Sequence, residues 1–191
     1  MKRLSPLAML ILAATSSTLA DPPASQPRCE WSGVDRIVAI GDVHGDCGQF
    51  VKALRLGGVI DDKEDWIAGR THLVQTGDVL DRGATSRKAM DLLMKLEAQA
   101  AKAGGAVHPL LGNHELMVLG NDLRYMTDEE KDSYGGESGL REMMAADGKY
   151  GRWIRSRNAV IRINDVLFYH AGLGAGIAAR FKTLAEINSV I

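Results

Sequence analysis

Four short motifs contain the residues of this chain whose types and spacing suit metal chemistry. They are GDVHGD (41–46), GDVLDRG (77–83), GNHE (112–115) and HAG (170–172). Each combines glycine with carboxylate, imidazole or amide groups, and none contains a thiol. Oxygen and nitrogen donors of this kind favour Mn, Fe, Zn or Mg over softer metals. The motifs therefore indicate a site for divalent cations.

The motifs supply enough ligands for two ions that share one carboxylate. We expect Asp42, His44 and Asp78 to hold one ion, and Asp78, Asn113 and His170 to hold the second. Two ions about 3.5–4 Å apart clamp the attacking and leaving oxygens of a phosphate ester, and they supply a hydroxide near neutral pH. This ligand set therefore predicts hydrolysis of a phosphate ester.

Three further residues would complete that chemistry. Arg82 carries a planar guanidinium that matches two phosphoryl oxygens. His114 follows the predicted ligand Asn113 and could protonate the leaving oxygen in its cationic form. Asp81 is the carboxylate that would favour this cationic form.

Taken singly, each motif also has an ordinary structural explanation: a turn, a surface ion pair, a helix N-terminus or a buried core histidine. Their occurrence together, in order and each behind a predicted strand, favours a single site. The two remaining histidines, His72 and His108, lie inside predicted strands. We interpret them as structural.

The elements that must position these residues alternate along the chain. Apolar segments predict five strands, at 36–40, 72–76, 107–111, 159–163 and 166–170. Helical patterns cover 49–58, 85–105 and about 138–157, and TDEE at 127–130 fits a capping box. This order predicts an α/β fold with a largely parallel sheet, whose strand ends bind ligands. Gly41 is predicted to make the turn that directs Asp42 and His44 into the shared crevice.

Length and charge restrict the class of protein. The chain has 191 residues and a formal net charge of −1, which gives no reason to expect a nucleic-acid partner. Residues 1–20 have a basic start, a short apolar run and a small-residue end at Ala20, the pattern of a signal peptide rather than of a buried helix. We expect an exported protein, periplasmic or secreted, with no stable membrane anchor after cleavage. Residues 21–34 would then be a linker and residues 35–191 one domain.

The two cysteines leave two alternatives open. Cys29 and Cys47 could form a disulfide in an oxidising compartment, or both could remain free thiols. The sequence does not show whether their geometry allows a bond.

The four motifs resemble those of the calcineurin-like metallophosphoesterases, in particular the PPP-type phosphoprotein phosphatases. The stretch from HLVQTGDVLDRG to DLRY looks most like the Shewanella-like protein phosphatases. The resemblance covers residues 35–191 and implies a four-layer sandwich of two central β-sheets flanked by helices. It also implies two divalent metal ions (Mn, Fe or Zn). The positions that match the family's metal ligands, its phosphate-binding arginine and its acid pair are those named above: Asp42, His44, Asp78, Asn113 and His170; Arg82; His114 with Asp81.

The chain departs from the family at its C-terminal side. The family has a further metal-ligand histidine downstream, whereas no histidine follows His170 here. The last residues, LAEINSVI, form an amphipathic pattern without a stop signal. We therefore expect a C-terminally truncated domain.

The sequence thus predicts a metal-dependent phosphomonoesterase, with a phosphorylated protein or a small phosphoester as substrate. The alternatives are a nucleotide phosphohydrolase of the dinucleoside tetraphosphatase type and an inactive phospho-ligand-binding fragment. An insertion at 117–157 is expected to line the substrate groove and to decide between them. Its Tyr125 and Tyr134 suit a phosphopeptide or a base, and its Arg152, Arg155 and Arg157 either attract an anion or form a solvated face.

Overall fold

A computed structural model describes residues 27–191 of the chain. The predicted signal peptide, 1–20, lies outside the described residues. The strands within the described part are β1 (Glu30–Trp31), β2 (Ile37–Ile40), β3 (His72–Gln75), β4 (Ala106–Pro109), β5 (Val160–Ile163) and β6 (Val166–Tyr169). The helices are α1 (Cys47–Leu56), α2 (Ser86–Lys102), α3 (Asn113–Leu119), α4 (Asp128–Ser133), α5 (Gly136–Met144), α6 (Lys149–Arg155), α7 (Ala175–Arg180) and α8 (Leu184–Asn188).

The strands form two three-stranded sheets. The first has the order β2-β3-β4 and is parallel throughout. The second has the order β1-β5-β6, in which β1 runs parallel to β5 and β6 antiparallel to it. The predicted architecture of two central sheets with flanking helices is confirmed.

Strand β3 is buried on both faces, as expected for the centre of a parallel sheet that is covered on both sides. Leu73 packs in a cluster between the first sheet and the helices, together with Leu54 of α1 and Leu93 of α2. Val74 faces the other way and packs in a second cluster with Ile161 of β5. The second cluster therefore lies between the two sheets. Because successive side chains of β3 point to opposite faces, this strand contributes to both clusters.

All five predicted strands and the first two predicted helices are present, with bounds shifted by up to three residues. Thr127 caps α4 as predicted, because its hydroxyl accepts the backbone N–H of Glu130. The helical pattern predicted at about 138–157 is instead two helices, α5 and α6. The chain leaves α5 at Ala145, which has extended backbone angles, and the side chain of Arg155 donates to the carbonyl of Met144.

The predicted linker 21–34 is wrong in its last part. Glu30 and Trp31 form β1 and pair with Arg162 and Ile163 of β5. Trp31 also packs on the ring of His108, with 4.2 Å between ring centroids. Two residues are too few to produce a periodic signal, so the sequence does not predict this strand.

The two cysteines belong to different parts of the core, and both are free thiols in the structure. Cys29 is buried in the cluster between the sheets, and Cys47 lies at the start of α1 against the helix-side cluster. Of the two alternatives, the structure has the free thiols.

His72 and His108 face each other on β3 and β4, with 3.0 Å between Nδ1 of the first and Nε2 of the second. Both are buried, and burial lowers the pKa of His108 to about 3. They lie among the strands, as the structural interpretation expects. Among residues 27–191, no helix is both long enough and apolar enough to cross a membrane.

The packing of α1 generates a prediction with an internal control. Leu54 is fully buried and Leu56, on the same helix, is 92% exposed. Leu54→Ala removes buried methyl groups and leaves a cavity, so we expect it to lower the free energy of unfolding by about 2–5 kcal/mol. Leu56→Ala should change it by less than about 0.5 kcal/mol. Urea unfolding of both variants measures the difference, and equal losses would contradict the packing of α1.

Candidate metal centre

The carboxyl ends of three parallel strands and the end of β6 place the predicted ligands at one edge of the sheets. Asp42 follows β2, Asp78 follows β3, and Asn113 opens α3 just after β4. His170 follows β6 of the second sheet. The four motifs therefore converge because each leaves its sheet at the same edge.

Backbone hydrogen bonds join the loop after β2 to the loop after β3. The carbonyl of Asp78 accepts the N–H groups of Val43 and His44, at 3.0 and 2.9 Å. The carbonyl of Val79 accepts the N–H of Gly45 at 3.0 Å. These bonds fix the main chain of two ligand loops against each other before any ion is considered.

The carboxylate of Glu115 joins the loop after β3 to the start of α3. Its Oε2 accepts the N–H groups of Asp78 and Gly112, both at 2.8 Å. Its Oε1 accepts those of Val79 and Leu80, at 2.9 and 3.2 Å. Burial raises the pKa of the Glu115 carboxyl, and the backbone N–H groups of Asp78, Gly112 and Leu80 oppose that rise. One buried side chain thus satisfies four loop donors.

Several site residues have left-handed backbone angles, which non-glycine residues rarely adopt. His44, Asp78, Asp81 and Arg82 have φ of 45°, 57°, 68° and 67°. Such conformations persist where surrounding contacts hold them, and they concentrate at functional sites. The hydrogen bonds described above supply those contacts at His44 and Asp78.

Two glycines, Gly41 and Gly112, directly precede the predicted ligands Asp42 and Asn113. A Cβ at Gly112 would overlap the carboxylate and backbone N of Asp78, so glycine is required there. Gly41 was predicted to make the turn into the site, but a Cβ there would meet no atom within 4 Å. The left-handed residues of that turn are instead His44 and Gly45.

The ligand atoms of the predicted set surround the Oδ2 atom of Asp78. Nε2 of His170 lies 3.2 Å from this oxygen, and Nε2 of His44 lies 3.7 Å from it. Asp42 Oδ2 is 3.7 Å from His44 Nε2, and Asn113 Oδ1 is 3.1 Å from His170 Nε2. The structure therefore brings all five predicted ligands together, with the buried Asp78 between two histidines.

Hydrogen bonds to backbone carbonyls fix the tautomers of these histidines. His44 Nδ1 lies 3.1 Å from the Leu80 carbonyl, and His170 Nδ1 lies 3.0 Å from the Thr76 carbonyl. A carbonyl only accepts, so Nδ1 carries the proton and Nε2 offers its lone pair to the cluster. This arrangement is usual for histidines that bind metals. The donor set fits hard or borderline divalent cations.

The grouping of the donors differs from the predicted pairing. The carboxylate and imidazole atoms form two groups, Asp42–Asp78–His170 and His44–Asp78–His114, each within 4.8 Å. Asp78 belongs to both, as the prediction of a shared carboxylate requires. Asp42, predicted with His44, is also 3.9 Å from His170 Nδ1.

The two ring nitrogens of His114 contact Asp81 and Arg82. Its Nδ1 donates to Oδ2 of the buried Asp81 at 2.7 Å, and its Nε2 is 3.2 Å from Nη2 of Arg82. Burial raises the pKa of Asp81, while the hydrogen bond and charge of His114 lower it. The predicted acid pair is therefore in contact, with the predicted phosphate-binding arginine beside it.

Tyr125 is an exposed residue of the insertion that lies beside the site. Tyr125 is 47% exposed, its ring lies 5.3 Å from that of His114, and its carbonyl accepts the N–H of Arg82. Tyr134 was also predicted to line the substrate groove, but it is buried in the cluster between the first sheet and the helices. The insertion arginines bond within the fold: Arg152 to the Asp147 carbonyl, Arg155 to the Met144 carbonyl, and Arg157 to Glu97.

Sequence reasoning assigned no role to Glu115, although it stands in GNHE. A signal was present, because Glu115 is the third residue of α3 and bonds the backbone of the N-cap Gly112. Its bonds to the loop after β3 join residues far apart in the chain, and no local pattern encodes them.

Several known proteins resemble this chain in sequence or in structure. The family model described as "Calcineurin-like phosphoesterase" matches residues 35–190. A protein of Arabidopsis thaliana named Shewanella-like protein phosphatase 2 is 32% identical over 201 residues, covering 81% of this chain and 51% of that protein. A symmetrical bis(5'-nucleosyl)-tetraphosphatase of Methylococcus capsulatus is 28% identical, covering 72% of this chain and 43% of that protein.

Among solved structures, a cold-active protein-tyrosine phosphatase of a psychrophilic Shewanella species has a TM-score of 0.79 and 36% identity. The match covers 86% of this chain and 50% of that one. The present chain therefore spans about half the length of the relatives it matches.

Replacement of Glu115 tests whether its carboxylate holds the two loops together. In Glu115→Gln one of the two acceptor oxygens becomes an NH2 group, so two buried N–H donors lose their acceptor. Each unsatisfied buried donor costs about 1–3 kcal/mol, and we expect a loss of about 2–6 kcal/mol in the free energy of unfolding. Urea unfolding measures it, with the exposed Glu142→Gln as control. A Glu115→Gln variant as stable as the control would refute this role.

Proposed function

The chain belongs to the calcineurin-like phosphoesterase family, and on that basis we propose that it is a metal-dependent phosphomonoesterase that acts on phosphorylated proteins. The observation that carries the proposal is the shared position of Asp78 between the Nε2 atoms of His44 and His170. A carboxylate with an imidazole on either side suits a pair of divalent cations, and such pairs serve phosphate-ester hydrolysis.

The residues that would hold the cations are Asp42, His44, Asp78, Asn113 and His170. When bound, the cations would neutralise the phosphoryl oxygens and provide an activated water as nucleophile. We propose Mn²⁺ as the first ion to test, because it is one of the divalent ions (Mn, Fe or Zn) that this mixed oxygen and nitrogen donor set suits. Glu115 and the backbone bonds between the loops keep these donors in place.

The chain's own residues would do the remaining work. Arg82 offers a planar set of N–H donors to two phosphoryl oxygens. His114 would give its Nε2 proton to the leaving oxygen, and the Asp81 carboxylate stabilises the imidazolium that does so. Arg82 Nη2 and His114 Nε2 are 3.2 Å apart, and Nε2 accepts in this contact because a guanidinium only donates. A phosphate bound between the two groups would replace this contact and accept from both.

The similarity to proteins named as phosphatases supports a phosphoprotein substrate. The Arabidopsis and Shewanella relatives, which match at 32% and 36% identity, are both named as protein phosphatases. The tetraphosphatase match is weaker, at 28%. Tyr125 gives the site an exposed aromatic ring beside His114.

We also propose that residues 1–20 direct export and are removed after Ala20, which places the enzyme in the periplasm or outside the cell. The support is the basic, apolar and small-residue order of this segment. N-terminal sequencing of the mature protein from its native host tests the cut; a mature chain that retains Met1 would refute it.

One assay tests both the need for metal and the role of His114. We expect hydrolysis of p-nitrophenyl phosphate with Mn²⁺, loss of turnover on chelation, and recovery when Mn²⁺ is restored. His114→Ala should lower kcat by about 10²–10⁴-fold, because a general acid contributes about that much. Metal content measured by atomic absorption should be unchanged in the variant.

Two outcomes would contradict the proposal. Turnover that survives both chelation and His114→Ala would show that this site is not responsible. A folded, metal-loaded wild-type chain that binds phosphate without turning over esters would indicate the phospho-ligand-binding alternative instead.

A further inference from the structure

Glu130 is a fully buried carboxyl in helix α4, and the proposed chemistry does not use it. Its Oε1 accepts a hydrogen bond from the hydroxyl of Ser86 and another, at 3.3 Å, from the backbone N–H of Asp81. Asp81 is the partner of His114. The side chain therefore reaches from the insertion to the loop that carries the acid pair.

Two carboxyl oxygens in this region lack hydrogen-bond partners among the described residues. They are Oε2 of Glu130 and Oδ1 of Asp81, and both are buried. Two adjacent buried carboxylates with unpaired oxygens would be strongly destabilising. A proton on Oε2 of Glu130 removes one of the charges, and an unpaired neutral O–H costs much less when buried than an unpaired carboxylate. This proton also leaves Oε1 as the carbonyl oxygen, which suits an atom that accepts two hydrogen bonds.

The groups around Glu130 agree with a neutral acid. Asp81 faces it from the loop after β3, His114 from α3, and Tyr134 from the end of its own helix. Arg87 of α2 lies over the Tyr134 ring and donates to Tyr150 and to the Ser133 carbonyl rather than to Glu130. Burial and the charge of Asp81 raise the pKa of Glu130 to about 7, although the hydrogen bonds from Ser86 and the Asp81 N–H and the charge of His114 oppose the rise.

The turn at Asp81 and Arg82 needs support from outside. Both residues have left-handed angles, with φ of 68° and 67°. Their two N–H groups are bound by the insertion: that of Asp81 by Glu130, and that of Arg82 by the Tyr125 carbonyl at 2.9 Å. The direction of the Asp81 carboxylate toward His114 therefore depends on the acceptor that Glu130 provides.

We propose that Glu130 is a positioning residue for the Asp81–His114 pair and that it acts as a neutral carboxylic acid. The inference rests on the proposed phosphatase function, because it concerns the groups that would bind phosphate and protonate the leaving oxygen. Ionisation of Glu130 would place a second negative charge beside Asp81 and loosen the turn.

The variants follow from the two hydrogen bonds at Oε1. Glu130→Gln keeps an acceptor oxygen and never carries a charge, so it imitates the proposed acid form. Glu130→Ala removes the acceptor. Glu129→Gln and Glu129→Ala are matched controls, since Glu129 is the preceding residue of the same helix and is exposed.

The acid form is tested without any assay of activity, by the thermal unfolding midpoint of the Mn²⁺-loaded full chain between about pH 5 and about pH 8. A carboxyl with a raised pKa holds a proton that the unfolded chain releases, so its stabilising effect falls as pH rises from about 4.5 to about 7. Between about pH 5 and about pH 8, we expect the unfolding midpoint of the wild type to fall by about 5 °C relative to that of Glu130→Gln. Glu129→Gln should follow the wild type. A difference between wild type and Glu130→Gln that does not change with pH would overturn the proposed acid form.

Positioning is tested by kinetics on p-nitrophenyl phosphate. Glu130→Ala should lower kcat by about 10-fold or more, as expected when a reacting group is misplaced, and Glu130→Gln should recover most of that loss. Wild-type kcat should fall relative to that of Glu130→Gln above about pH 7 as Glu130 ionises, because titrations common to both proteins cancel in the ratio. Equal kcat per folded molecule in Glu130→Ala and Glu129→Ala would overturn the positioning role.

These results are separable from failure of the proposed function. If the wild type hydrolyses no phosphate ester, the function proposal fails, while the pH dependence of unfolding still decides the state of Glu130. If Glu130→Ala does not fold, Glu130→Gln alone decides, through its kcat profile and its unfolding midpoint.

Discussion

Each oxygen of the buried Glu115 carboxylate accepts two backbone N–H groups, and those four groups belong to the loops that carry Asp78 and Asn113. A parallel sheet brings the ends of its strands to one edge, but it does not fix the loops that follow. Here a single side chain binds two of these loops together, and the Asp78 carbonyl binds the third through Val43 and His44. The close approach of Gly112 to Asp78 and the left-handed angle of Asp78 occur where Glu115 binds these two loops together.

The electrostatics of the site follow from the same arrangement. Four carboxyl groups are buried within it: Asp78, Asp81, Glu115 and Glu130. A different group compensates each of these buried carboxyls. Glu115 has backbone donors, Asp81 has the Nδ1–H of His114, and the geometry at Glu130 suits a proton. Asp78 keeps Oδ2 among imidazole nitrogens, and this is the charge that divalent cations would compensate.

The sequence predicted much of this architecture because the relevant signals were local. Each apolar segment followed by glycine and a polar ligand became a strand with a loop at its end, as at Ile37–Ile40 and Asp42. The structure then brought the predicted ligands and the Asp81–His114 pair together. Other features depend on contacts between distant segments, and no periodicity encodes these. Strand β1 exists because Glu30 and Trp31 pair with β5, more than a hundred residues later. The roles of Glu115 and Glu130 likewise depend on loops that only the fold brings near them.

We propose that Asp78 would bind two cations in one site. Anomalous diffraction from crystals of the Mn²⁺-loaded chain tests this claim most directly. The account predicts two manganese peaks, one on either side of the Asp78 carboxylate, with His44 and His170 on opposite ions. Peaks that leave Asp78 without a metal bond, or a single peak away from these two histidines, would contradict it.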